Sequence, residues 1–130
     1  MSPKSRVEVE GVAHPAGHYS HGIVVSGRTL YVAGQVALDE EGQLVGPGDA
    51  EAQTRQVLAN MERVVTSAGG RMADGARTTV YLTNLEDRAS VGAVRTEFFP
   101  DPPPANTLLV VTSLAAPEFL VEIDAIVALP

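Results

Sequence analysis

The chain has 130 residues, 45% of them hydrophobic, a formal net charge of −7 and no cysteine. That length bounds it to one domain over residues 1–130. The missing cysteines exclude disulfides, thiolate zinc sites and a cysteine nucleophile. The acidic balance has the wrong sign for holding a phosphate backbone and argues against a nucleic-acid role.

Taken in order, the polar first ten residues carry an alternating Val7 and Val9, which predict a short first strand. His14 to Gly22 is a loop by its Pro, Gly and Ser content, and it gathers His14, His18, His21 and Tyr19. Ile23 to Ser26 and Thr29 to Ala33, joined at Gly27-Arg28, predict a hairpin whose second strand ends at Gly34-Gln35. Asp49 is placed to cap a helix over 50–68, with a stripe of Val57, Leu58, Met61, Val64, Val65 and Ala68 and a stop at Gly69-Gly70. Arg77 to Thr83 is β-branched and predicts a strand. Asp87 can start a second helix with Val91, Val94 and Phe98 on one side, ended by Pro100 and the 102–104 proline run. Asn106 to Ser113 predicts a strand apolar on both faces.

The last strand, Phe119 to Val127, is the most informative. Phe119, Val121, Ile123, Ala125 and Val127 share one apolar face, while Leu120, Glu122, Asp124 and Ile126 share the other. The mixed face predicts half-burial, under another subunit or lining a cleft; the alternative is a solvated face with two incidental aliphatics. Two helices cover one face of a six-stranded sheet and leave the other bare. A closed homo-oligomer is the simplest cover.

Four places could carry chemistry. Glu122 could act as acid, base or water-orienting group, or form a subunit-contact salt bridge. The three loop histidines lack a convincing third ligand, so no metal is expected, while Tyr19 could close over a pocket. The Gly34 amide could meet a ligand oxygen, or Gly34 could be a bulge residue. The stiff Pro103-Pro104-Ala105 run delivers Asn106 and Thr107 to a strand start. No phosphate loop, nucleophile elbow or H-E-x-x-H motif occurs. No apolar leader and no run of ~18 apolar residues is seen, so a soluble cytoplasmic protein without membrane contact is expected.

These places, in this order, resemble the Rid family of reactive intermediate deaminases, also called YjgF-type. The matching segments are Gly17-His18-Tyr19-Ser20-His21, Leu30 to Gln35, Ala52-Gln53-Thr54 through Asn60, Thr78 to Leu82, Pro103-Pro104-Ala105 and Val121 to Ala125. The resemblance implies an α+β, chorismate-mutase-like fold: a six-stranded mixed sheet with two helices on one face, assembled as a trimeric barrel. It implies small-molecule clefts between subunits, enamine or imine hydrolysis to a 2-keto acid and ammonia, and no cofactor. Carried over by position, Glu122 matches the catalytic carboxylate. Tyr19 and Gly34 match substrate-binding residues, and Ala33, Asn106 and Thr107 are expected to bind substrate beside them. Three positions depart from the pattern. Asn106 stands where deaminase members carry an arginine that forks onto the substrate carboxylate, and asparagine supplies no charged bidentate contact. Ala33 replaces a common serine, and Gly92 a common asparagine. A substrate other than the usual 2-imino acids is therefore expected, unless Arg28, Arg77 or Arg95 reaches the cleft. The alternatives are a non-catalytic binding or regulatory trimer, and the ribonuclease or translation-inhibitor activity attached to some relatives, which the acidic charge opposes.

Overall fold

A computed structural model describes residues 2–130. Its sheet is built outward from strand β6 (Val121–Ala128). Val121, Ile123, Ala125 and Val127 are buried, while Glu122, Asp124 and Ile126 are half-buried, so the alternation read from the sequence is the alternation observed. Strand β3 (Thr29–Gln35) flanks β6 on one side and β4 (Gly75–Leu82) on the other, both antiparallel. Strand β5 (Ala105–Val110) runs parallel to β4 at the outer edge, giving the order β3-β6-β4-β5. A parallel neighbour requires a crossover, and helix α2 (Arg88–Phe98) supplies it.

Helix α1 (Ala50–Ser67) begins as its sequence dictates. The Ala52 amide donates to Asp49 Oδ1 at 3.0 Å, satisfying one orphan amide of the first turn. Val57, Leu58, Met61 and Val65 are buried to 0% exposure, whereas Val64, one step round the helix, is 38% exposed. Gly69 takes φ +81° just past the helix end. Gln53 is buried inside α1 and is fully bonded. Its Nε2 donates to the Gly46 and Glu118 carbonyls, and its Oε1 accepts from the Leu120 amide at 2.9 Å. In α2, Val91 and Val94 are buried. Asp87 sits at the N-cap without a side-chain bond; Asn84 instead caps the preceding 3₁₀ turn, Leu85–Asp87. Phe98 is partly buried, and the adjacent Phe99 takes the core position. Both helices join one hydrophobic core with the Val80, Leu82, Ile123 side of the sheet. The α+β class and two helices on one face follow from this.

The expected single six-stranded sheet is divided. Strands β1 (Lys4–Arg6) and β2 (Ile23–Val25) form a separate antiparallel pair. The turn at Gly27 exists, with φ +82°, but no hairpin closes over it: β2 pairs with β1, and β3 with β6. Turn chemistry is local, whereas partner choice follows apolar surface. Leu30 and Val32 of β3 join the core, while Val24 and Val25 of β2 stay exposed. The first strand also lies earlier than Val7 and Val9, which are exposed. It is anchored by Lys4, whose Nζ donates to the carbonyls of Gly75 (2.7 Å) and Pro102 (2.9 Å). Among the described residues, no helix is long and apolar enough to cross a membrane.

The far side of the sheet is bare in the single chain. Tyr31 on β3 is 76% exposed and Leu109 on β5 is 46% exposed, on the same side as Glu122, Asp124 and Ile126 by register.

Candidate functional site

Glu122 is held on the bare face by the strand alternation of β6. Opposite it, β3 does not keep a regular ladder. Val32 pairs with Ala125 but Gln35 with Ile123, so two residues of β3, Ala33 and Gly34, oppose the single Asp124 of β6. This bulge falls on Ala33-Gly34. It brings the Gly34 backbone against the Glu122 side chain: a Cβ at Gly34 would lie 2.8 Å from the carboxyl carbon and 3.1 Å from Cγ. Gly34 has no positive φ, so glycine is required here by close approach and not by backbone conformation. No hydrogen bond or ion pair among the described residues occupies the Glu122 carboxylate. Its cross-strand neighbour Tyr81 donates instead to Asp124 Oδ2 at 3.1 Å. That bond to a carboxylate holds the Tyr81 phenol above its ordinary pKa. Thr107 faces the same side and accepts from Arg77 Nη2 at 2.9 Å.

Tyr19 and Asn106 lie elsewhere. Asn106 pairs with Thr78 across the β4–β5 ladder and shares the helix-covered face, opposite to Thr107. With Tyr19 and His18 it lines a cleft of about 870 Å³ between the 14–22 loop and α2. The loop is tied down where it passes β5: Ser20 Oγ donates to the Pro103 carbonyl at 2.6 Å, and its amide to that of Pro104 at 3.1 Å. His18 Nε2 bonds the Phe99 carbonyl and His21 Nε2 the Ala13 carbonyl, both at 2.6 Å. The Tyr19 and His21 rings stand edge to face, 5.8 Å apart. These two histidines thus brace the loop, and His14 lines a smaller neighbouring cavity of about 390 Å³.

Of Arg28, Arg77 and Arg95, only Arg95 reaches the cleft, which the exposed Arg88 at the start of α2 also lines. Arg77 is on the other face, and the cleft lining excludes Arg28. Arg95 is 5% exposed. Its Nη2 donates to Thr78 Oγ1 at 3.0 Å, and that hydroxyl donates to Asn106 Oδ1 at 2.6 Å. Its Nη1 donates to the His18 carbonyl over a longer 3.3 Å, and the guanidinium carbon sits 5.8 Å from the Phe99 ring centroid. Burial lowers its pKa to about 10, so it remains charged at neutral pH. The sequence carried a signal for it. Arg95 stands four residues after Val91, on the stripe that Val91, Val94 and Phe98 define, where a charged side chain is out of place.

The six residues expected to form one site therefore fall into two groups on opposite faces of the sheet: Glu122, Ala33, Gly34 and Thr107 on one, Tyr19 and Asn106 on the other. The bare-face group offers a carboxylate beside an accessible backbone. The cleft group offers an amide, a phenol and a buried cation.

The sequence profile of the family described as Endoribonuclease L-PSP matches residues 9–129. A RutC family protein of Pyrococcus horikoshii is 35% identical over 123 residues, covering 95% of this chain and 96% of the relative. The crystal structure of YyfB from Yersinia pestis, of the conserved Rid protein family, superimposes with a TM-score of 0.86 at 38% identity, covering 98% and 99% of the two chains. The structure of RidA from the Antarctic bacterium Psychrobacter sp. PAMC 21119 gives a TM-score of 0.74 at 30% identity, covering 96% and 99%.

Proposed function

The chain belongs to the Rid (YjgF) family, and from that premise we propose that it forms a homotrimer whose intersubunit clefts hydrolyse a small enamine or imine, or carry out related proton-transfer chemistry. The observation that carries this reading is the division of the site. Residues on opposite faces of one sheet cannot converge on one ligand. A second copy, laying its bare face beside the β5 edge, would set Glu122 and Gly34 opposite Asn106 and Tyr19. The same contact would cover Tyr31 and Leu109.

In this site water adds to the imine carbon, the resulting carbinolamine loses ammonia, and a carbonyl product forms. Glu122 takes the proton from water and returns it to nitrogen. The Gly34 amide and the Asn106 side chain hold a ligand oxygen. Asn106 Oδ1 already accepts from Thr78, so its Nδ2 end is the one offered to the ligand. Tyr19 closes the cleft. With asparagine at 106, strand β5 gives a 2-imino acid's carboxylate no charged contact, which favours a substrate other than the usual 2-imino acids.

Two experiments test this. Light scattering should give three times the 13.6 kDa chain mass; a monomer would leave the site in halves and end the proposal. Ammonia release should be followed with enamines generated in situ, 2-aminoacrylate among them. Glu122→Gln should lower turnover of the accepted substrate by about 10²–10⁴-fold. A non-catalytic binder would keep its ligand affinity and show no rate to lose. Asn106→Arg should raise activity toward 2-aminoacrylate; if native activity is already at the level of Rid deaminases, the claim of a changed substrate falls.

A further inference from the structure

Resting on the reading of this cleft as a small-molecule site, we infer that Arg95 is its anion-recognising group. It supplies from helix α2 the positive charge that position 106 lacks on strand β5. Four observations converge on it.

The first is an unpaired buried charge. No carboxylate of the described residues lies within 4.0 Å of the guanidinium, whose two hydrogen-bond partners, Thr78 Oγ1 and the His18 carbonyl, are both neutral. A buried cation facing neutral acceptors is costly unless an anion joins it. The second is unused donor capacity. A guanidinium carries five N–H donors in a fixed fork. Two are engaged, and Nε is the one buried side-chain polar atom among the described residues that lacks a partner.

The third is position. Arg95 lines the cleft, and its Nη2 connects through the Thr78 hydroxyl to Asn106, whose Nδ2 end is left for a ligand. Charge from the helix and a neutral donor from the strand thus converge on one place. The fourth is space. Gly92 stands one turn before Arg95 on the same side of α2. It lines the cleft, and a Cβ there would meet nothing within 4 Å. Glu86 and Arg88 also line the cleft; both are exposed and neither forms an ion pair among the described residues, so their opposite charges offset and Arg95 is the buried cation there. A carboxylate-bearing ligand fits this arrangement. One of its oxygens would displace the long Nη1 bond to His18, and the other would meet the Asn106 amide. The substrate is then still an anion, but its charged end is held from above the sheet.

The test is binding, followed on the arginine Nε–H and asparagine Nδ2–H resonances of the ¹⁵N-labelled 130-residue chain. Pyruvate and acetate are the probes, with pyruvamide and acetamide as uncharged isosteres. The carboxylates should bind at least roughly tenfold more tightly than the amides and should move the Arg95 and Asn106 signals. Arg95→Gln should erase that preference and Arg95→Lys should keep part of it. The comparison on the wild-type protein stands even if Arg95→Gln fails to fold. Equal affinity for acid and amide, carboxylate binding that leaves the Arg95 signal still, or no carboxylate binding up to roughly 50 mM would each overturn the inference. The last is also the outcome expected if a neighbouring subunit's carboxylate already neutralises Arg95. None of these readouts uses turnover. A rate indifferent to Glu122→Gln would therefore sink the catalytic reading and leave this one intact, and the converse holds for equal binding of acid and amide.

Discussion

Gly34→Ala separates the role of the bulge glycine from its contribution to stability. The new Cβ would lie 2.8 Å from the Glu122 carboxyl carbon, so that carbon must retreat by about 0.6 Å or more to regain an ordinary 3.4 Å contact. Alanine tolerates the backbone here, because Gly34 has no positive φ. Restricting the unfolded chain stabilises by about 0.4–1 kcal/mol, and pushing Glu122 off its rotamer costs about 0.5–1.5 kcal/mol. The two nearly cancel, so the urea midpoint should correspond to a change within about 1 kcal/mol of zero. Activity should not survive so well. Displacing a reacting group by about 1 Å costs about a hundredfold, and steady-state ammonia release should fall by that order. The double variant Gly34→Ala, Glu122→Gln should be no slower than Glu122→Gln alone. A rate within about threefold of wild type would show that the Glu122 carboxylate position is not what Gly34 protects. A loss of several kcal/mol would show that the glycine serves the backbone after all.

Three further outcomes follow from local geometry. Gly92→Ala adds a methyl that meets nothing within 4 Å in the middle of α2, and should stabilise the protein by about 0.5–1 kcal/mol in urea unfolding. Asp49→Ala removes the acceptor for the Ala52 amide and should cost about 1 kcal/mol by the same measurement. Arg55 forks onto the Glu97 carboxylate with bonds of 3.0 and 2.9 Å, and these hold the Glu97 pKa below its ordinary 4.5. A depressed carboxylate contributes stability that is present above the ordinary glutamate pKa and lost as pH falls through the lowered one. Arg55→Gln should therefore return the Glu97 titration, read by NMR, to the ordinary range, with little change in stability because the pair is exposed.

The parts of the fold legible in the sequence are those set by periodicity. The stripe of Val57, Leu58, Met61 and Val65 defines α1, and the strict alternation from Val121 to Val127 defines β6 and puts Glu122 on the mixed face. What resisted reading was partner choice. Gly27-Arg28 signals a turn, but nothing local says that β2 will pair with Lys4–Arg6 instead of β3. Phe98 and Phe99 are adjacent, and only the end of α2 decides that Phe99 turns inward. The strand or loop that carries each candidate residue was legible, but not the division of the set between two faces. Asn106 and Thr107 are neighbours in sequence, so a strand must send them to opposite faces. Glu122 joins Thr107 because the β4 ladder aligns odd positions of β4 and β5 with even positions of β6. That pairing is non-local. Arg95 was visible as a charge on an apolar stripe. Its value emerged only when Thr78 and Asn106 were found beside it.

Gln53 carries a consequence for the placement of Glu122, although it lies in α1, on the other side of the sheet. It grips the chain on both sides of Phe119, at the Glu118 carbonyl and the Leu120 amide, just where β6 is about to begin. A strand that slipped by one residue would exchange its two faces. Glu122 and Asp124 would be driven into the aliphatic interior, and Val121 and Ile123 out onto the bare side. The two bonds of one buried amide on either side of Phe119 act as a phase lock on the last strand: they count residues for the sheet, and the place of the carboxylate depends on that count.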